Sequence, residues 1–420
     1  MPTTGIQAIS LGVDVVAINA KGFDTNASCP HGIAFCFTLK AAPRDWAQTA
    51  FGSGPVPQTF GSIVPAQFNG GTGTDISGCS AQNPNMVVNG QLVINSDGST
   101  GPTVNPGGNK NNIYASPVDY YAPGGAPSAL GSGVTPTPIS AQIADPLINL
   151  PVPSSTGLLQ FSSLASATDS VVTVGGVTYT YLLPGVYNFN LFDPAGSQLI
   201  LESGEYILNL GVTGPITSGV GGTFIYEAGG QFAPASSHLW PMSSGTYAGI
   251  SLWLTPSATM SLGPGVQQLD GVVYAPGGNF YWHGGSDIWL GKLDAGSAGC
   301  SGGGSGQTNI GFTQSITFTS TAPTQANVGD TYNVTVTDPT TPNSGNNITF
   351  SLDPLDTNGA CSISNVTSSS TLASATVNFS GPGECIVDAN QASSDQTQNP
   401  VVAGGYAEAP TIQQIIQVGP

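Results

Sequence analysis

The stretch PGVYNFNL (184–191), followed by SGEYILNL (203–210) and GGTFIY (221–226), decides the fold. Laid over one another, these segments set Gly185 on Gly204, Tyr187 on Tyr206 and Leu191 on Leu210, with Phe224 in the aromatic slot. AGISLWL (248–254), DGVVYAP (270–276) and LGKLDAG (290–296) extend the pattern and bring Gly249, Gly271 and Gly291 into line. Short β-branched and aromatic runs that recur about every twenty residues between Gly turns predict stacked rungs. Each rung leaves an apolar face that only the next rung can bury. Val186, Leu201, Ile207, Ile225, Ile250, Leu252, Val272 and Ile288 are the expected inward residues. Glycine at the corners supplies the positive φ angles of tight turns. The fold class is therefore all-β, with a right-handed parallel β-helix-like solenoid as the body.

Outward from this repeat, CSGGGSG (300–306) reads as a flexible Gly/Ser linker. Beyond it come SITFTST (315–321), TYNVTVT (331–337), NITFSL (347–352), ATVNFS (375–380), CIVDA (385–389) and IQQIIQV (412–418), all with period-two alternation. About seven short strands separated by turn signals predict a β-sandwich of the immunoglobulin-like kind. Its expected core is Ile316, Phe318, Val334, Val336, Ile348, Phe350, Val377 and Phe379. Toward the N-terminus, MVVNGQLVINS (86–96) and GIAFCFTL (32–39) read as rungs, whereas 97–160 is rich in Pro, Gly, Ser and Asn. The expected division is a β-rich cap or first rungs over 1–77 and a body over 78–299. Within the body, 97–160 is a surface excursion pinned at DPLINLPVPS (145–154). A linker over 300–312 and a sandwich over 313–420 follow.

Composition excludes several classes. Five Lys+Arg stand against 23 Asp+Glu, for a net charge of −18, and only 7% of the 420 residues are charged. Neutralising phosphates takes a basic face, so nucleic acid is excluded as a partner, and anionic membrane surfaces are poor partners for the same reason. Met1–Ala20 has no basic residue, and Asp14 interrupts its apolar run, so no export signal or anchor is legible there. Six cysteines with no CxxC pair, and three histidines, leave little for a zinc site. The even count reads as three disulfides in an oxidising compartment. Cys361–Cys385 is the expected pair of the late domain, and Cys29–Cys36 with Cys79–Cys300 are the expected pairings of the rest; free buried thiols are the other reading.

The order GCSAQNPNMVVNGQLVINS, ADPLINLPVPS, LLPGVYNFNL, SGEYILNL, GGTFIY, TYAGISLWL and DGVVYAPGG, over about 78–297, resembles the extracellular region of bacterial Flp-pilus-assembly TadE/TadG-like proteins. In that family a hydrophobic anchor precedes a Gly-rich β-helical region, and this chain departs from it by lacking the anchor segment. Residues 314–419 resemble a repeated bacterial immunoglobulin-like module through ITFTSTAPTQANVGDTYNVT, NITFSLDP, GACSIS, VNFSGPGECIVDANQA and YAEAPTIQQIIQVG. Cys361 and Cys385 sit where that module has its cysteine pair. The resemblance implies an exported, surface-exposed protein.

Carboxylates ~5–9 Å apart across a groove hydrolyse glycosides, and Asp193, Glu202, Glu205, Glu227, Asp270, Asp287 and Asp294 supply the candidates, Glu205 with Glu227 foremost. Lyases of this shape generally use a cation, and Lys292 is the only one across 111–420. Solvated turn carboxylates are the simpler reading, and no catalytic residue is assigned. NFYWHGGSDIW (279–289) offers Tyr281, Trp282, His283, Asp287 and Trp289 as a sugar-stacking platform; packing at the edge of the core is the plainer alternative. HLWP (238–241) is read the same way. Asp353, Asp356 and Asn358 form the best oxygen cluster for calcium, the one cofactor considered.

These readings converge on a non-catalytic, exported structural or adhesive protein. Its expected partners are other cell-surface proteins or glycans, together with self-association into a filament through the ends of the solenoid. The alternatives are a polysaccharide hydrolase or lyase and a glycan- or ice-binding β-solenoid. A repeating Thr ladder, which ice binding requires, is missing from the aligned turns.

Overall fold

The computed structural model describes residues 66–68, 76–77, 86–97, 104–105 and 113–420. The last span has gaps at 116, 128–129, 132, 193–196, 264, 284–287, 302–307, 341–342, 354–358 and 395–405. The described chain is almost entirely β; its one α-helix, Leu164–Ala167, is a single turn capped by Ser163 and Ser166.

The body is built from columns of parallel strands. The longest column runs, in spatial order, Pro136–Ile139, Val118–Tyr121, Leu92–Ile94, Ala66–Phe68, Ile288–Ser301, Gln267–His283, Ile250–Leu254, Thr223–Glu227, Gly204–Leu208, Gly185–Tyr187 and Gln160–Phe161. A second column joins Val177–Leu182, Ser197–Leu201, Ile216–Ser218 and Ser237–Leu239 to the start of Gln267–His283 and of Ile288–Ser301. It continues through Thr308–Ile310, Met86–Val88 and Ile113–Tyr114. A third holds Gly211–Val212, Gln231–Phe232 and Thr259–Met260. Inside lies one apolar core that includes Phe68, Leu92, Tyr187, Tyr206, Ile225, Leu252, Leu269 and Leu293.

Spatial order and chain order differ. Ala66–Phe68 lies mid-column, beside residues 293–295. From there the strands stack outward to Pro136–Ile139, and the chain reappears at the opposite end as Gln160–Phe161 before winding back to Ser301. Residues 140–159 therefore cross the whole stack. The crossing covers about ten strand spacings, or roughly 48 Å, which about twenty extended residues span with a margin of roughly 20 Å. Its contacts follow that path. Ile143 N–H donates to Asn95 Oδ1 at 2.9 Å, and Gln67 Nε2 donates to Ile143 O at 3.2 Å. Tyr274 Oη donates to Asp145 Oδ2 at 2.8 Å, and Tyr247 Oη donates to Pro151 O at 3.1 Å. Within the span read as a surface excursion, Ile113–Tyr114, Val118–Tyr121 and Pro136–Ile139 are ladder strands, and 140–159 is the segment outside the columns.

The register refines the sequence repeat. Gly185 stands opposite Tyr206 and Tyr187 opposite Leu208, two residues away from the sequence alignment. An even shift preserves the pleat, so Tyr187 and Tyr206 both point inward, their ring centroids 5.8 Å apart. Leu191 is buried beside Val212, while Leu210, its counterpart in the sequence alignment, is exposed. All eight expected inward residues are buried. Val186 and Ile207, however, alternate with the inward Tyr187 and Tyr206 and so lie on the other face of the sheet, and Ile250 and Val272 belong to an outer cluster with Leu147, Phe224, Tyr247, Trp253 and Tyr274, roofed by the crossing segment. Gly249, Gly271 and Gly291 do stack: a Cβ on Gly271 would meet Gly249 O, and one on Gly291 would meet the Gly271 backbone.

Residues 308–310, read as part of the linker, form a strand between Ile288–Ser301 and Met86–Val88. After them come two four-stranded sheets. One orders Thr317–Phe318, Thr331–Thr337, Leu372–Phe379 and Cys361–Ser368; the other orders Ala326–Asn327, Ile412–Gly419, Gly383–Gln391 and Ile348–Leu352. Of the expected core, Phe318 and Phe350 are half-buried and the other six are buried. Cys361 and Cys385 form a disulfide that ties one sheet to the other. Cys29, Cys36 and Cys79 lie outside the described residues, as does the side chain of Cys300.

Candidate functional site

The carboxylates foremost as a catalytic pair do not face each other. Glu205 stands opposite Phe224 and Glu227 opposite Leu208 on adjacent strands, an offset of three residues. That is roughly 10 Å along the strand, and an odd offset puts the two side chains on opposite faces of the sheet. Glu227 is fully buried; its Oε1 accepts the Gly230 N–H at 2.8 Å, and its Oε2 has no hydrogen-bond partner among the described residues. Burial drives its pKa up to about 7 against the opposing pull of the Gly230 and Gly229 N–H groups. Glu205 is half-buried, and burial raises its pKa too. Asp294 is buried, Glu202 half-buried, and Asp193 and Asp287 lie outside the described residues. Lys292 is the one Lys or Arg among the described residues; it is half-buried, and desolvation lowers its pKa.

Residues 281–283 continue the strand Gln267–His283, whose partner is Ile288–Ser301, but the side chains of Tyr281, Trp282 and His283 lie outside the described residues. Trp289 is 5% exposed, so its ring presents no open face for stacking a sugar. Other aromatics do form an outward ladder. Tyr226 stands opposite Trp253 and Trp253 opposite Tyr274, with centroids 5.5 and 5.2 Å apart. Leu147 of the crossing segment packs over this ladder, with Leu150 alongside, which makes it a buried seam.

A polar constellation joins the body to the C-terminal sandwich. Gln268 Nε2 donates to Glu408 O at 2.6 Å and to Asp270 Oδ2 at 2.9 Å. Gln268 Oε1 accepts the Glu408 N–H at 3.1 Å, so a single side-chain amide holds both backbone groups of Glu408. His238 Nε2 lies 2.8 Å from Gln268 Oε1 and 3.4 Å from Glu408 Oε2. Asn390 of the sandwich donates to Glu408 Oε1 at 2.6 Å. Asp270 is buried and its Oδ1 has no hydrogen-bond partner among the described residues; burial, opposed by the Gln268 hydrogen bond and reinforced by Glu408, raises its pKa to about 7. The constellation suits fastening two parts of the chain. HLWP pointed at His238, but no pattern in the sequence pairs it with a residue 170 positions later.

Of the calcium cluster, Asp353 Oδ2 accepts from Gln413 Nε2 at 2.8 Å, and Asp356 and Asn358 lie outside the described residues. Among the described residues no three His, Cys, Asp or Glu gather as metal ligands, and no helix is long and apolar enough to cross a membrane. No protein-family model, curated protein or solved structure matches the chain.

Proposed function

We propose that this chain is an exported bacterial cell-surface protein with a structural or adhesive, non-catalytic role. In this reading the body is a right-handed parallel β-helix-like solenoid, resembling the extracellular region of TadE/TadG-like proteins. The C-terminal sandwich is an immunoglobulin-like module of the kind that stalks and displays use. The observation that carries the proposal is the Cys361–Cys385 disulfide across the two sheets, because such bonds form and persist in oxidising compartments. Stiffness from stacked backbone ladders and solubility from uncharged Ser, Thr and Asn faces suit a projecting element. The buried Glu227 and Asp270, and the placement of Glu205 and Glu227 on opposite faces, favour this role over glycoside hydrolysis. Other surface proteins or glycans are its proposed partners, with calcium an optional ligand near Asp353.

The test is protease shaving and antibody labelling of intact cells of the native host, compared with lysed cells. Labelling and cleavage on intact cells are expected. A chain protected until lysis, with Cys361 and Cys385 reduced in the cell, would overturn the proposal.

A further inference from the structure

Among the described residues, the outermost strand of the longest column is Pro136–Ile139, which carries two prolines. It pairs in parallel with Val118–Tyr121, with Val118 opposite Pro136 and Tyr120 opposite Pro138. Along such a strand alternate residues turn their backbone groups to the same side. Proline has no N–H to donate. The N–H groups that bond Val118–Tyr121 therefore belong to Thr137 and Ile139. By alternation Pro136 and Pro138 face away from the stack, toward the position a further strand would take. A strand arriving there meets two carbonyls and no donor, so half of each repeating pair of ladder bonds cannot form.

Elsewhere in the column each interior strand bonds a neighbour on both sides. Prolines facing outward at a sheet edge are a known means of refusing edge-to-edge pairing. In the adjoining column, Ile113–Tyr114 is followed by the Leu130 bridge, where the Tyr114 ring occupies the space a Cβ on Gly131 would need. The opposite end is finished differently, by Thr168–Val174 folded back antiparallel on Val177–Leu182. Head-to-tail growth uses one surface from each end of every copy, so closing one end is enough to stop it.

We propose that Pro136 and Pro138 terminate the stack, so that copies of this chain do not continue one another's strand ladders end to end. Any assembly of the full chain then uses its sides or its C-terminal sandwich. This inference stands whether or not the protein is displayed at a cell surface.

The experiment compares the full chain with P136T/P138T and with P138T alone, by sedimentation velocity over a hundredfold concentration range and by negative-stain electron microscopy. Circular dichroism and thermal melting establish that the variants fold. The unchanged chain is expected to keep one sedimentation coefficient. The folded double variant should show at least a twofold rise in weight-average mass with concentration, and rods lengthened along the stack. Two results would overturn the proposal: end-to-end rods formed by the unchanged chain, or a folded double variant whose mass stays that of the unchanged chain throughout.

Discussion

The Tyr274 hydroxyl donates a 2.8 Å hydrogen bond to Asp145 Oδ2, and that bond joins residues 129 positions apart. It fastens the segment that crosses the stack to the aromatic seam beneath it. Asp145 also anchors its own turn, since its Oδ1 accepts the Leu147 N–H at 2.7 Å, which aims Leu147 into the seam. Burial and the Asp145 carboxylate both push the Tyr274 pKa above the ordinary tyrosine range, so the phenol stays a donor. Leu147→Ala should cost about 2–4 kcal/mol by opening a cavity over Trp253. Tyr274→Phe should cost about 1–3 kcal/mol by leaving Asp145 short of a donor. Urea titration followed by tryptophan fluorescence measures both, and a midpoint unchanged in either variant would show that the crossing segment rests loosely on the body.

Stability should rise as the solution is made mildly acid. Asp270 and Glu227 both have pKa values raised to about 7, chiefly by burial. Their unfolded values are those of ordinary carboxylates, near 4. Between about pH 4 and 7 the folded chain thus holds more protons than the unfolded one, and stability falls as pH rises. The change should be on the order of a few kcal/mol per group. Melting temperatures from pH 5 to 8 should decline, and Asp270→Asn with Glu227→Gln should flatten the decline. A profile in the double variant as steep as in the unchanged chain would count against these two groups as its source.

Reduction should weaken the C-terminal sandwich selectively. The Cys361–Cys385 bond closes a separation of 24 residues between two sheets that share an apolar core. Closing a loop of that length contributes roughly 2–4 kcal/mol. Cys361→Ala/Cys385→Ala should lower the melting transition of the sandwich by several degrees or more. Hydrogen exchange should then rise in Thr331–Thr337 and Gly383–Gln391 while the core strand Ile250–Leu254 stays protected. Equal loosening of both regions would mean that they unfold as one unit.

The sequence carried the all-β class because its signals are local. The strand Thr331–Thr337 coincides with the alternating run TYNVTVT, and the Gly249–Gly271–Gly291 stack was spelled out by spacing. The position of Ala66–Phe68 between Leu92–Ile94 and residues 293–295 was not legible. A repeat says which segments are equivalent and leaves open the order in which they stack. The register was hidden by two residues because an even shift keeps every side chain on its face, so Tyr187 and Tyr206 read alike in either alignment. The Gln268–Glu408 bond escaped for another reason: amide-to-backbone recognition over 140 positions has no sequence signature. Burial of Trp289 and of the Tyr226–Trp253–Tyr274 seam likewise depends on what lies over each ring, which composition does not record.

The glycine stack provides the sharpest test of the columns. Gly271 has φ +75°, and a Cβ there would sit 2.6 Å from Gly249 O and 2.6 Å from Pro241 Cγ. Gly245 has φ +95°, and a Cβ there would meet nothing within 4 Å. Both positions charge an L-residue the left-handed penalty, about 1–2 kcal/mol. Only Gly271 adds a collision with backbone that the next rung fixes in place, because Gly291 packs on Gly271 in turn. Gly245→Ala should therefore lower stability by about that penalty alone. Gly271→Ala should cost at least ~2 kcal/mol more, in the range of overpacked cores. Chemical denaturation of the two variants side by side removes the shared penalty from the comparison. Equal losses would mean that the corners of adjacent rungs are not in contact, and the stacking of 249, 271 and 291 would have to be abandoned.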